Sequence, residues 1–559
     1  MDYNFYGMKR MRALILDGYV DEPACFGVPP YISPYPRYLA GVLSSYGIDP
    51  DYITVDAWRR KESRFTFLNS YDLLIVIAGL TVPGRYRGGT PLTLSELQDV
   101  ASSVNRPFKM LCGPIIYGYA LKGGRKALSV KGIPFDLVAF GDPCAVLDSY
   151  LKGEPNPLVE RNYDELRKWA IRGANIIRLH SSFPHIICEI ETGRGCERAF
   201  HCSFCTEGLR KKVEYRSVED IVEEVESLYK AGCRAFRLGR QPNLFAYMGG
   251  DKPNPEAVRL LYRGIREVAP HLKVLHMDNA NPWYIASFPD ECFEIARTIS
   301  EYNTPGDTAP LGVESVDPEV IRMNNLKATF KESLLAIEVI NKAGGWREGK
   351  ELPKLLPGVN FLYGLPGETR RTYELNFIFL KEVLRRNLLL RRINIRQVML
   401  FEGTPLYKIL KGKVPKIRRK LFEGWKRKVR EEIDLPMLKR VAPPGTVIRG
   451  VIIEGVKGGI SFGRPLGSYP LLVGIPMRLK LRSEIDVFVV DYGYRSITAL
   501  PIPLRVNEAP LPALEAIPGI GKARAKRILE KRPFADKDEL LKAIDDPSIL
   551  RNFLEFMEV

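Results

Sequence analysis

No stretch of the sequence approaches the run of about eighteen apolar residues that a membrane-spanning helix needs, which excludes a bilayer-crossing segment. A cleavable leader is also lacking: MDYNFYGMKRMRALILDGY runs directly into a strand pattern, so a cytoplasmic protein without a membrane partner is expected. Glutamine is scarce, with only Gln98, Gln241 and Gln397, which leans towards a thermophilic source. Histidine is nearly as rare, and His180, His185, His201, His271 and His276 all lie after residue 151. There is no internal repeat and no low-complexity segment. The nine cysteines are an odd number in a long chain, which argues against a disulfide framework.

What is present is an ordinary globular balance: 559 residues, 45% hydrophobic and 27% charged. At roughly 100–200 residues per domain this is enough for about three to five domains. Lys and Arg number 83 against 66 Asp and Glu, a net charge of +17, which points to a polyanionic partner. The charge is unevenly placed. Residues 408–440 hold 13 Lys/Arg and 4 Asp/Glu, and residues 517–532 hold 6 and 1, so these two segments carry +14 of the total. That concentration fits contact with a phosphate backbone.

Apolar runs divide the chain. Residues 11–150 alternate short, continuous apolar strands (RALILDGY, YDLLIVIAG, PFKMLCGP, FDLVAFGD) with helical stretches, the signature of a parallel sheet covered on both faces. A linker rich in Lys, Arg, Pro and Asn (about 152–180) leads to six further strand–helix units, from HIICEIE to INIRQVML, which suggest a partial or complete βα barrel. SVEDIVEEVESLYKAG among them opens on a Ser-x-x-Asp capping signal and ends at glycine. Beyond a basic helical segment (408–440), short strands with glycine turns compatible with a small barrel occupy 441–504, and 505–559 is helical.

Chemistry concentrates in HIICEIETGRGCERAFHCSFCTEG, residues 185–208, where a loop after the first barrel strand displays Cys196, Cys202 and Cys205. Clustered thiolates hold iron–sulfur clusters or zinc. Three with no close fourth leave a metal position open for a substrate or cofactor; a structural zinc site completed by His201 or Cys188 is the other reading.

A cysteine loop at this place in a βα barrel resembles the radical SAM superfamily, although the spacing is Cys-x5-Cys-x2-Cys where the family has Cys-x3-Cys-x2-Cys. GVESVDPEVIRMNN, YGLPGET and INIRQVMLFEGTPLY are similar to later strands of the family's barrel, so the resemblance spans about 185–407. It implies that the three cysteines bind a [4Fe-4S] cluster and that S-adenosylmethionine is cleaved to a 5′-deoxyadenosyl radical, with an electron donor as partner. It also makes Gly239, Arg240 and Gln241, in LGRQPN, candidates for binding the cofactor's amino end, and Glu314 and Ser315 candidates for further cofactor contacts.

The N-terminal sheet is similar to the cobalamin-binding-type domains that precede many such barrels, but lacks the Asp-x-His-x-x-Gly motif that supplies an axial histidine. Cys25, Cys112 and Cys144 all follow strand ends, so a second iron–sulfur cluster, as in methylthiotransferases, is an alternative to cobalamin, and apolar burial of all three is another. IPGIGKARAKRILEKR resembles a helix-hairpin-helix motif, which makes Gly519, Gly521, Lys522, Arg524 and Lys526 candidate nucleic-acid contacts. The β-rich piece weakly resembles the TRAM domains of methylthiotransferases.

The expected fold is therefore α/β: an N-terminal parallel-sheet Rossmann-like domain (1–151), a radical SAM partial βα barrel (180–407), the basic segment, a small TRAM/OB-like β domain (441–504) and a helix-hairpin-helix domain (505–559). The expected function is radical SAM modification of a nucleic acid, a structured RNA above all, by methylation or methylthiolation. A radical SAM enzyme acting on a small metabolite, and a non-catalytic nucleic-acid-binding protein with structural zinc, are the alternatives.

Overall fold

The computed structural model describes residues 11–20, 30–79, 89–120, 122–210, 212–414 and 416–559. In the N-terminal domain the apolar runs become strands β1 (Ala13–Asp17), β2 (Asp51–Thr54), β3 (Leu73–Ile77), β4 (Phe108–Cys112) and β5 (Leu137–Val138). All are parallel, in the order β2-β1-β3-β4-β5. Every residue of β3 is buried because helices cover both faces of the sheet. In such doubly wound sheets ligands sit beyond the strand C-termini.

The segment expected as a linker is folded. It forms α2 (Tyr163–Arg172), which packs against α1 (Pro34–Ser45), followed by a 3-10 turn at Ala174–Leu179. Its polar composition concealed one apolar face, on which Leu166, Trp169 and Ala170 are buried. The contact is close: a Cβ on Gly41 would lie 1.8 Å from the Trp169 carbonyl oxygen.

The central domain contains β6 (Ile187–Glu191), β7 (Ala235–Gly239), β8 (Val274–Met277), β9 (Asp307–Glu314), β10 (Leu355–Tyr363) and β11 (Arg392–Gln397). One sheet runs β8-β7-β6, extended by the N-terminal domain's two-residue strand Tyr31–Ile32; the other runs β9-β10-β11. An Ala280–Leu311 bridge joins them, leaving a partial barrel whose free edges are Tyr31–Ile32 and β11. Helix α3 (Val218–Lys230) is capped by the Ser217 side chain, which accepts from Asp220 N at 3.1 Å.

A fully buried ion cluster clamps the N-terminal domain to the barrel. Arg37 of α1 and Arg216 both donate to the Glu224 carboxylate on α3, and Tyr38 OH donates to it at 3.0 Å. Arg216 is also held by Asp220 at 2.9 and 3.0 Å. The side chains of Arg37, Arg216 and Glu224 have no solvent exposure.

After the central barrel, α5 (Arg419–Val429) lays Phe422 and Trp425 against Tyr363, at ring separations of 5.6 and 4.9 Å. Then β12 (Val447–Lys457), β13 (Ile460–Pro465), β14 (Leu472–Ile475), β15 (Glu484–Tyr492) and β16 (Ser496–Pro501) close into a barrel, in the order β12-β13-β14-β16-β15. The β14–β16 pair is parallel and the rest antiparallel. The helical tail packs on this barrel through Phe488, which stacks on Phe556. No described helix is long and apolar enough to cross a membrane.

The β13–β14 loop enters the central domain. Leu466 joins an apolar cluster with Tyr31, Ile187, Ala235 and Val274; Ser468 N donates to His276 Nδ1 at 3.0 Å, and Tyr469 OH meets Asp278 Oδ1 at 3.1 Å. Burial, together with the charges of Arg391 and Arg237, pushes His276 down to about 3, and Asp307, itself raised by burial, stands 3.8 Å away. A folded-state value below the unfolded one means that the unfolded chain takes up the proton first. His276 thus costs stability as pH falls from the usual histidine value towards about 3. Roughly 2 kcal/mol is expected to be lost by about pH 5, and calorimetry of His276→Asn should give a shallower acid limb than the unaltered protein. Equal limbs would contradict this assignment.

Candidate radical SAM active site

The cysteine loop is pinned from three directions. Next to Cys196, Glu197 accepts from Asn243 and Asn281 at 3.0 and 2.8 Å, tying the loop to the ends of β7 and β8. Arg198 donates to Cys202 Sγ at 3.2 Å and to the Asn325 carbonyl at 2.8 Å. Ser203 N donates to the carbonyl of Asn324, the last residue of α4 (Pro318–Asn324), at 2.9 Å. Burial pushes the Cys196 thiol up to about 11 and Cys205 up to about 12, and raises Cys202; Lys327 opposes the shift at all three. Thiols must ionise to bind a metal, so the Lys327 and Arg198 cations favour the liganding form.

The loop opens onto a cavity of about 1010 Å³ between the barrel mouth and the N-terminal sheet edge. Glu189, Glu191, Arg237, Asp278, Asn360 and Arg396 project into it from the barrel strands. Glu314 closes one side in a left-handed conformation, with φ of 63°. Burial pushes its carboxyl up to about 7 against the pull of Lys327 and Arg396. Lys327 Nζ and Glu314 Oε1 lie 2.7 and 3.2 Å from where a Gly312 Cβ would stand, so a side chain there would displace both.

The residues singled out from sequence fare differently. Gly239 ends β7 without lining the cavity, and Arg240 and Gln241 follow it into the wall, where Gln241 Nε2 donates to the Asp278 carbonyl at 2.7 Å. Arg240 instead reaches across to Tyr35 OH at 2.8 Å, bridging to α1. Glu314 lines the cavity but Ser315 does not: it is fully buried, bonded to Asn376 Oδ1 and Asp317 N, because β9 has already turned away. Cys112 and Cys144 are buried in the same apolar cluster, and Cys144 also lines the cavity; Cys25 falls outside the described residues. No histidine lines this cavity, so a corrinoid held here would take no imidazole from its described walls.

At the hairpin, Gly519 and Gly521 have φ of 85° and 60°, linking α6 (Leu511–Glu515) to α7 (Gly521–Glu530). Lys522 and Lys526 are exposed. Arg524 braces the turn, bonding to Asp545 at 2.6 and 2.9 Å and to the Gly519 carbonyl at 2.7 Å.

Sequence reading missed Lys327, Arg198, Arg396 and the Glu197–Asn243–Asn281 network. Only one weak signal existed, the lysine inside the short NNLKAT stretch, because the thiols it faces lie more than a hundred residues away.

The fit to a cluster and a sulfonium cofactor rests on the donors. Among the described residues no three His, Cys, Asp or Glu side chains are grouped closely enough to hold a metal ion, so the chemistry of the loop decides. Three soft thiols share one loop beside two cations, and Gln241 Oε1 is buried near the cavity without a hydrogen-bond partner, an acceptor suited to an ammonium group. When bound, the pair supplies one-electron chemistry for taking hydrogen from an unactivated carbon. Cys196, Cys202 and Cys205 would hold the cluster, Gln241 and Glu314 would face the cofactor, and the N-terminal domain covers the mouth.

The model of the Radical SAM superfamily matches residues 190–377, from β6 to the helix after β10. An uncharacterized protein of Archaeoglobus fulgidus is 44% identical over 538 residues, covering 95% of this chain and 97% of that one. The ribosomal protein uS12 methylthiotransferase RimO of Carboxydothermus hydrogenoformans is 25% identical, over 54% of this chain and 65% of its own length. The tRNA-2-methylthio-N(6)-dimethylallyladenosine synthase of Thermotoga petrophila is 26% identical, over 56% and 64%. Among solved structures, the radical S-adenosylmethionine methyltransferase TsrM of Kitasatospora setae, with tryptophan and a SAM analogue bound, shares the fold at a TM-score of 0.50 and 15% identity, over 72% of this chain and 76% of that one. With its cysteine loop at the mouth of a partial βα barrel, this chain belongs to the radical SAM superfamily and is an enzyme that uses a [4Fe-4S] cluster and S-adenosylmethionine.

Proposed function

We propose that the enzyme modifies RNA, placing a methyl or methylthio group on a base or sugar carbon, with an external electron donor. The observation that carries this reading is the placement of charge: +14 of the net +17 lies in residues 408–440 and 517–532. The second segment is the hairpin with exposed Lys522 and Lys526. Such hairpins hold a phosphate backbone through turn amides and flanking cations, reading shape more than sequence. A five-stranded barrel in the 1-2-3-5-4 order with strands 3 and 5 parallel, an oligonucleotide-binding architecture, stands beside it.

The names of the two methylthiotransferase relatives divide between a tRNA and a ribosomal protein, which makes a ribosomal protein the second reading. One incubation separates them. The anaerobically reconstituted enzyme, S-adenosylmethionine and a reductant are added to ribosomes and total RNA from a strain lacking the gene. Nucleosides and ribosomal proteins are then analysed by mass spectrometry. A nucleoside heavier by one methyl or methylthio group is expected. Unaltered nucleosides with a modified ribosomal protein would overturn the RNA reading.

A further inference from the structure

A second cavity, of about 1030 Å³, runs along the open side of the central barrel and belongs to none of the features described so far. Its floor is the consecutive stretch 390–397, which includes the full length of β11, whose only strand partner among the described residues is β10. Three other units form the walls: Arg419, Phe422 and Lys426 of α5, Tyr494 and Arg495 in the β15–β16 turn, and 122–125 of the N-terminal domain. Nine lining residues are Lys or Arg, against Glu423 and Asp434 alone as acids, and Asp434 is paired with Arg430. Tyr494, 51% exposed, offers a ring face at one end.

Arg396 lines both this cleft and the cavity beside the cysteine loop, so the two spaces share a wall near the C-terminal end of β11. At its other end the cleft reaches the small barrel through Tyr469, Pro470 and Leu471. Eight residues of extended chain span about 25 Å.

We propose that the cleft is a track for a single-stranded RNA segment. Its phosphates lie along the Arg and Lys walls, and it leads from the small barrel to the barrel mouth, where Arg396 marks the passage of the target nucleotide into the reaction cavity. This rests on the RNA reading above and adds a route to it. The small barrel then acts through its β15–β16 turn, the kind of loop that barrels of this architecture use for oligonucleotides.

The test uses the full-length, cluster-loaded protein and a triple variant, Arg125→Gln, Arg419→Gln and Lys426→Gln, drawn from two separate walls. Dissociation constants for labelled unfractionated tRNA and for poly(U) are measured across a potassium chloride series. Iron content and melting temperature report that the variant is folded and loaded. Binding of both probes should weaken at least tenfold at low salt. The log–log salt slope should also fall by about two, since each lost single-strand phosphate contact contributes about 0.7. A fully paired poly(I)·poly(C) competitor should displace poly(U) poorly. If the unaltered protein binds neither probe, the RNA reading itself fails. If it binds both and the variant keeps the same slope, the track fails and the RNA reading stands. Equal competition by the duplex would overturn the single-strand assignment.

Discussion

Alanine at any one of Cys196, Cys202 or Cys205 is expected to leave the purified protein without its cluster, with iron and acid-labile sulfide at background and no reductive cleavage of S-adenosylmethionine. Three thiolates are the whole protein ligand set in this reading, and two leave a second iron open to water and oxidants. The loop itself should survive, because Glu197, Arg198 and Ser203 hold it through bonds that involve none of the three ligands' backbones. Arg198→Ala is the graded companion. It removes the guanidinium 3.2 Å from Cys202 Sγ, and outer-shell losses of this kind cost about 10–100-fold in metal affinity. Cys188→Ala is the control, since Cys188 is fully buried in the barrel wall, 3.4 Å from Cys233. Normal iron in Cys202→Ala, or its loss in Cys188→Ala, would overturn the ligand assignment.

The largest expected effect on stability is at Glu224. Its carboxylate is the shared partner of Arg37 and Arg216, all without solvent exposure, and the two cations hold its pKa below the ordinary range despite burial. Glu224→Ala leaves two buried guanidinium groups with Asp220, bonded to Arg216, as the remaining carboxylate paired with either among the described residues, and about 3–5 kcal/mol of stability should be lost. The loss should also loosen the N-terminal domain, because Arg37 reaches Glu224 from α1. Replacing Arg37 and Glu224 together with leucine should recover most of the loss, since an apolar pair avoids stranding a charge and Arg216 retains Asp220. Denaturant unfolding measures both. A single variant within about 1 kcal/mol of the unaltered protein would contradict the clamp.

Much of the fold was legible because it is local. Apolar runs such as LLIVI and the sequence around Cys188 become buried strands, and Ser217 caps a helix where the Ser-x-x-Asp signal lies. Segment 152–180 was misread as a linker because its few apolar residues occupy a single short helix face, diluted by charge. At the site, the cysteine loop announces itself by spacing, whereas Lys327 and Arg396 look like any other basic residues. Only folding brings them to Glu314.

By itself the sequence determined the alternation of strands and helices, the cysteine-bearing loop and the concentration of positive charge near the C-terminus. These are properties of neighbours in the chain, which periodicity and spacing record directly. Tertiary structure alone decided that a loop from the small barrel meets His276, 192 residues earlier, and that Ser315 faces away from the cavity Glu314 closes. It also assembled the cationic cleft from five separate segments. Such contacts follow from how sheets close and domains dock, and side chains that meet only then leave no regular pattern along the chain.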